Sequence, residues 1–406
     1  MEEWKEYRLG DICDTISDTY KGNSPQVVLI NTSDVLEGKC LNHIPVPNKN
    51  LKGQFKKTFC NEDILYSEIR PANKRFAYID FEPKDYIAST KLMVIRSKEE
   101  VLPKYLYYIL QSNQMLDKLQ TLAETRSGTF PQITFSELAA QKIILPGLNS
   151  QKKIVQVLES INSKIELNRR INENLEQQAQ ALFKSWFVDF EPFKDGKFVD
   201  SELGMIPEGW RINLVKDIAI FTQGTQVPVS MQYNTQKENM IRFIRIVDYT
   251  SNNTELPRFI YKTNKQTECD ESDVIMVRYG NIGTIGRRLT GVIANNLFKI
   301  SPSNILTKNF LYYFFKQKEI QELIVASAAG SAMPAIKHST IGNINIIVPP
   351  KGVVNMFDLI CNSYEAQILK NNQENSYLKE VRDTLLPKLM SGELAITDVD
   401  DRSIFQ

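Results

Sequence analysis

The sequence predicts an α+β protein. It has two β-rich globular units with short helices, separated by two long helices that form an antiparallel coiled coil, and the whole reads as an internal pseudo-two-fold repeat. Three observations carry this prediction. Residues Ile154, Leu158, Ile161, Ile165, Asn168, Asn172, Leu175, Ala179, Leu182 and Trp186 recur at alternating steps of four and three, the spacing of a coiled-coil seam. The same seam returns 203 residues later as Phe357, Cys361, Tyr364, Ile368, Asn371, Asn375, Leu378, Arg382, Leu385 and Leu389. The stretches ahead of the two helices also share a framework. WKEYRLGDI at Trp4 is answered by WRINLVKDI at Trp210, NEDILYSEIRP at Asn61 by ESDVIMVRYGN at Glu271, and KYLYYIL at Lys104 by NFLYYFF at Asn309. SGTFPQI at Ser127 is answered by GSAMPAI at Gly330, and KIILP at Lys142 by NIIVP at Asn345.

In chain order, residues 1–148 form the first unit. VVLINTSDV (27–35), DILYSEI (63–69), RFAYIDF (75–81) and KLMVIRS (91–97) are β-rich runs separated by Gly, Asn and Pro. A helix starts at Pro103, where the missing amide hydrogen costs nothing, and a loop at 126–131 precedes the strand QKIILP. The first long helix spans 149–190, with Asn149 or Ser150 as its cap. A linker (191–209), a second unit (210–350), the second long helix (351–395) and a tail (396–406) complete the chain.

The short linker places the second unit at the far end of a helix about 50 Å long, so the second helix runs back along the first. If the seam asparagines meet, partners sum to 543: Asn168 faces Asn375, Asn172 faces Asn371, Ala179 takes Tyr364, Leu182 meets Cys361 and Trp186 stacks near Phe357. Arg382, opposite Ile161, snorkels outwards. Asparagines at the same two seam positions in both copies fix register at some cost in stability.

Composition narrows the chemistry. The 406 residues are 42% hydrophobic and 24% charged, as in ordinary globular proteins. Lys plus Arg (49) nearly balances Asp plus Glu (48), so a nucleic-acid partner needs basic residues gathered on particular faces. The start MEEWKEYRLGDI has no apolar signal core, and no run approaches a membrane span. Five scattered cysteines without a C-x-x-C pair point to reduced thiols in the cytoplasm rather than disulfides or zinc. There is no Gly-x-x-x-x-Gly-Lys-Ser/Thr run and no Asp/Asn-Pro-Pro-Tyr/Phe box, and His43 and His338 are the only histidines. No metal site, no cofactor and no catalytic triad is expected, and the chain reads as a non-enzyme.

ALFKSWFVDFEP (181–192) followed by GMIPEGW (204–210), IILPGLNSQKKI (143–154) and LLPKLMSGEL (385–394) resemble the specificity subunit of type I restriction-modification systems, over essentially the whole chain. The resemblance implies two target-recognition domains, each reading one half of a split, non-palindromic double-stranded DNA target. The paired helices would space them and dock two modification (methyltransferase) subunits, with restriction/translocase subunits joining. S-adenosylmethionine, ATP and Mg would sit on those partners. At 349–354 no match to the Gln-Lys-Lys of the first helix follows Pro350, which implies looser docking there. The alternative is a coiled-coil scaffold whose β-rich domains bind protein.

For DNA contact, Arg suits guanine, Asn and Gln suit adenine, and Lys, Ser and Thr suit phosphates. In the first unit the candidates are Arg70, Asn73, Lys74, Arg75, Arg126, Ser127, Thr129 and Gln132. In the second they are Arg245, Arg278, Tyr279, Asn281, Arg287, Arg288, Ser331, Lys337 and His338. GNIGTIG (280–286) lacks the strand-to-helix context of a phosphate cradle and reads as a turn bringing backbone close to a partner.

Overall fold

A strand that is apolar at consecutive positions must be covered on both faces, and one such strand sits in the middle of each unit. The computed structural model describes residues 4–51, 53–125, 131–251, 256–262, 267–328 and 335–394. The chain divides into two compact units, Met1–Leu167 with Glu374–Gln406, and Asn168–Gln373. The division falls inside both long helices, Leu148–Phe187 and Lys351–Ser391.

In the first unit the buried strand is Ile64–Ser67. Leu65 turns towards Val94, Ala77 and Ile79, and Ile64 and Tyr66 turn towards the helix Pro103–Gln111. It lies in an antiparallel sheet ordered Cys13–Ile16, Leu92–Ser97, Ile64–Ser67, Phe76–Tyr78. A second sheet runs Pro45–Pro47, Gln26–Ile30, Tyr86–Ser89, Phe55–Lys57, with its middle pair parallel. Lys5–Arg8 pairs antiparallel with Lys142–Leu145 and ties the start of the unit to the strand before the long helix. The run expected as one strand over 27–35 stops at Ile30. There Asn31 takes the Thr32 amide and Asp34 the Asn31 amide, a capping arrangement that turns the backbone. The helix from Pro103 breaks at Ser112, whose hydroxyl accepts from the Met115 amide and restarts it as Asn113–Thr125.

In the second unit the strand buried on both faces is Val274–Val277. Its antiparallel sheet is ordered Ala219–Gln223, Leu297–Pro302, Val274–Val277, Ile285–Gly286. A second sheet runs Arg258–Tyr261, Met240–Ile244, Gly291–Ile293, Glu268–Cys269, again with a parallel middle pair. Arg211–Leu214 pairs with Asn345–Val348. Thr307 caps the helix Lys308–Lys316 by accepting from the Phe310 amide at 3.3 Å.

Within each unit the long-helix segments pack antiparallel. In the first, Val157, Ile161 and Ile165 meet Leu378, Val381 and Leu385, so Val381 takes the apolar position that the seam pattern assigns to Arg382. The Arg382 guanidinium reaches Asn162 Oδ1 at 3.2 Å. In the second unit the buried residues of the first long helix beyond Ala179 are Phe183 and Phe187, one position on from the expected Leu182 and Trp186. The shift has a packing cause. Phe183 and Phe187 must contact both Phe357 on the other long helix and Phe310 on the capped helix, whereas Trp186 lies at the edge, 6.4 Å from Phe357. Asn371 Nδ2 donates to Asn172 Oδ1 at 2.7 Å, and Asn172 Nδ2 donates to Asn372 Oδ1 at 2.9 Å. Asn168 and Asn371 are buried, and Asn375 is half-buried. The first helix stops at Phe187 rather than 190, because the chain turns through Phe190 at φ 54° and seats it against Trp210.

Candidate nucleic-acid interface

In the first unit the turn after Ile64–Ser67 carries most of the nominated residues. Arg70 and Lys74 adopt left-handed backbone (φ 45° and 52°) at the two ends of a single turn, Pro71–Asn73. That turn is held from outside. The Arg70 amide donates to Pro131 O at 3.0 Å, the Ile133 amide donates to Glu68 O at 2.8 Å, and the Ala72 amide donates to Gln120 Oε1 at 3.0 Å. Ile69 and Gln132 form a β-bridge, so the two nominated stretches meet. Arg70 and Asn73 are exposed, and Lys74 and Gln132 half-buried. Arg75 also bonds within the unit: its guanidinium donates to Ser33 O at 3.1 Å and reaches Val35 O at 3.5 Å, stapling a neighbouring turn. Arg126, Ser127 and Thr129 lie outside the described residues.

The second unit builds the same kind of corner with other side chains. The Arg278 amide donates to Asn296 O at 2.9 Å, the Ile336 amide donates to Arg278 O at 3.2 Å, and Tyr279 bridges Ala335. The Arg278 side chain donates to Gln223 Oε1 at 3.0 Å and lies 5.0 Å from the Tyr279 ring centre. Asn281 and Lys337 are exposed. His338 stacks on Phe221 and meets Phe298 edge-on. Burial, then the nearby Arg278 charge, lowers its pKa, so the ring is neutral at physiological pH. Ser331 lies outside the described residues.

Three further arginines are corrections. Arg245 donates from Nε to Asp248 at 3.2 Å and from Nη2 to Leu256 O at 2.9 Å, and closes its own turn. Arg287 and Arg288 turn inwards to the long helices. Arg288 is 2.6 Å from both Glu176 and Glu365, Arg287 is 2.7 Å from Glu365, and Lys316 is 2.9 Å from Glu176. Arg287 also donates to Asn309 and Tyr313. Burial alone would raise the Glu176 carboxyl, but Lys316, Arg288 and Arg287 outweigh it and hold the pKa at about 2. The glycines ahead of these arginines answer an internal need as well, since a Cβ on Gly286 would sit 2.2 Å from the Tyr249 ring.

Gln132 and Arg245 apart, sequence reasoning missed the residues that line one cleft in each unit. The first unit has a cleft of about 390 Å³ that includes Thr15, Lys57, Glu68, Lys91 and Gln132. The second has one of about 550 Å³ that includes Gln226, Gln232, Arg245, Asn295 and Asn296. The amides had no local signal, because Gln226, Gln232, Asn295 and Asn296 all lie outside the runs that the two units share. Among the described residues no cluster of His, Cys, Asp and Glu could hold a metal ion, and no helix is long and apolar enough to cross a membrane.

Comparison with known proteins bears on what such corners do. The family model described as type I restriction modification DNA specificity domain matches residues 1–177 and again 207–375. The type I restriction enzyme HindI specificity subunit of Haemophilus influenzae is 32% identical over 97% of this chain and 100% of its own length. The MjaIX specificity subunit of Methanocaldococcus jannaschii is 30% identical over 74% of this chain and 71% of its own. In fold, the chain is similar to the type I restriction-modification S subunit from M. genitalium, with a TM-score of 0.50 at 18% identity over 96% of each chain.

Proposed function

Since this chain belongs to the type I restriction-modification DNA specificity family, we propose how its two units divide the work of a DNA-recognition subunit that has no catalysis of its own. Residues 1–148 and 210–350 are target-recognition domains, each reading one half of a split, non-palindromic target. The long helices, Leu148–Phe187 and Lys351–Ser391, pair as an antiparallel coiled coil that sets the unread gap and docks two modification subunits, with restriction subunits joining them. Residues 191–209 connect the halves and 396–406 form a tail. S-adenosylmethionine, ATP and Mg belong to the partners, and the complex acts in the cytoplasm, where the DNA is. The antiparallel helix packing within each unit supports the pairing. The bond from Asn371 to Asn172 supports a register role for the asparagines at 168, 172, 371 and 375.

One observation carries the reading: a backbone clamp present in both units but carrying different side chains. In the first unit Glu68 receives the Ile133 amide and donates its own to Lys91 O; in the second Arg278 receives the Ile336 amide and donates its own to Asn296 O. A duplicated scaffold with unlike loops reads unlike halves. Arg70, Asn73, Lys74 and Gln132 in one domain, and Arg278, Tyr279, Asn281, Lys337 and His338 in the other, remain the proposed contacts. Arg126, Ser127, Thr129 and Ser331 join them on sequence grounds alone. The test is adenine-methylation mapping in cells expressing the chain with its modification and restriction partners, against cells lacking only this chain. A split motif that vanishes with the chain is expected; unchanged methylation would refute the reading.

A further inference from the structure

The 550 Å³ cleft of the second unit differs chemically from the 390 Å³ cleft of the first. Lys57, Glu68 and Lys91 make the first cleft charged. The second is lined by the side-chain amides of Gln226, Gln232, Asn295 and Asn296 and by apolar residues such as Phe243 and Val247, and Arg245 is its one charged residue. That charge is already spent, because Arg245 is paired with Asp248, whose side chain is 1% exposed, and bonded to Leu256 O. The cleft therefore presents neutral donor-and-acceptor groups, which suit a base edge better than a phosphate.

Two of these amides stand together at the mouth. Gln226 and Asn295 are both exposed, and Asn295 Nδ2 lies 3.5 Å from Gln226 Oε1, a contact too long to satisfy either group. Their backbones are held rigidly. The Thr225 amide donates to Ile293 O at 2.8 Å, the Gly224 amide donates to Leu297 O at 3.1 Å, and Gln223 Nε2 donates to Asn295 O. The strands approach so closely that a Cβ on Gly224 would lie 2.1 Å from Ala294 O. Preorganisation of this kind lowers the ordering cost of binding. On the same loop Val229 and Met231 are 78% and 59% exposed, apolar groups of the sort that contact the thymine methyl.

We infer that Gln226 and Asn295 are specificity-determining residues that read an A·T pair in the half-site of the second domain. The inference rests on the function proposed above. A side-chain amide matches adenine N6 and N7 together, whereas guanine calls for an unspent Arg or Lys, which this cleft lacks. The exposed apolar side chains of the loop then face the thymine of the same pair.

The test uses the chain assembled with its modification and restriction partners, with methylation mapped for wild type, Gln226→Ala, Asn295→Ala and Gln226→Glu. The wild-type motif should contain, besides the methylated adenine, an A·T pair in the half read by the second domain. Each Ala variant should relax that position roughly 10- to 100-fold and leave the other half as it was. Glu accepts from cytosine N4, so Gln226→Glu should add sites with cytosine there, a gain that misfolding could not produce. An unchanged motif in all variants would overturn the inference, as would a uniform loss of methylation with no change in base preference. Absence of any motif dependent on the wild-type chain would instead sink the proposed function.

Discussion

Arg288→Ala separates two roles for one residue. The sequence places Arg288 on DNA, and the structure places it between Glu176 and Glu365, with side-chain exposures of 21%, 17% and 12%. Removing one partner of a buried ion pair costs about 3–5 kcal/mol. Arg287 and Lys316 remain within reach of the two carboxylates, which puts the expected loss near about 3 kcal/mol. For a unit of this size each kcal/mol moves the melting temperature by about 2–4 °C, so a fall of about 6–12 °C is expected. The assay is thermal unfolding followed by circular dichroism, paired with DNA affinity of the partnered complex across a salt series. A stapling arginine lowers the melting temperature and leaves the slope of log affinity against log salt unchanged. A melting temperature within about 1 °C of wild type, with the slope reduced by about one, would refute the argument.

The depressed carboxyl of Glu176 gives a pH signature. Its folded pKa lies near 2, below the ordinary value of 4.5, so its stabilisation is complete above about pH 4.5 and is lost as pH falls towards 2. Glu176→Gln should therefore be clearly less stable than wild type at pH 7, with the difference shrinking across that window in denaturant titrations. Gly224→Ala should cost about 1–3 kcal/mol through overpacking. At Gly352, inside the second long helix, an added Cβ would meet nothing within 4 Å, so the same change there should gain about 0.5–1 kcal/mol, and chemical denaturation measures both. In maleimide labelling the exposed Cys60 should react first. Cys13, Cys269 and Cys361, buried and pushed up to about 12 mainly by desolvation, should resist until the chain unfolds.

What the sequence disclosed was whatever has a period or a local rule. The apolar runs at 64–67 and 274–277, the Pro103 helix start and both long helices follow from spacing and proline chemistry, although the first long helix begins at Leu148, ahead of the cap expected at Asn149 or Ser150. Seam details were readable only where one partner surface decides them. Once Phe183 and Phe187 had to serve both Phe357 and Phe310, a stripe drawn for a two-helix contact was one residue out. The arginines failed for a related reason. Arg287 and Arg288 follow a glycine-rich turn, and such a turn reads alike whether its cations face phosphate or carboxylate. The deciding partners, Glu176 and Glu365, lie 112 and 77 residues from Arg288 on separate helices.

That misplacement has a consequence for recognition. The strand Ile285–Gly286 leads directly into the two arginines and pairs with the buried strand Val274–Val277, which leads into Arg278 and Tyr279. Arg287 and Arg288 thus fasten the base of the proposed reading corner to helix segments of the same unit through short charge-assisted bonds. Neutral contacts would leave that corner easier to tilt. A cluster with three cations on two carboxylates resists motion because separating any pair exposes an uncompensated buried charge. On this argument the substitution Lys316→Met, which leaves Arg288 bridging Glu176 and Glu365, should be milder than Arg288→Ala, which removes bonds to both carboxylates, in the same thermal assay. Equal losses from the two would mean that the Arg288 bridge between the two carboxylates is not what holds the corner in place.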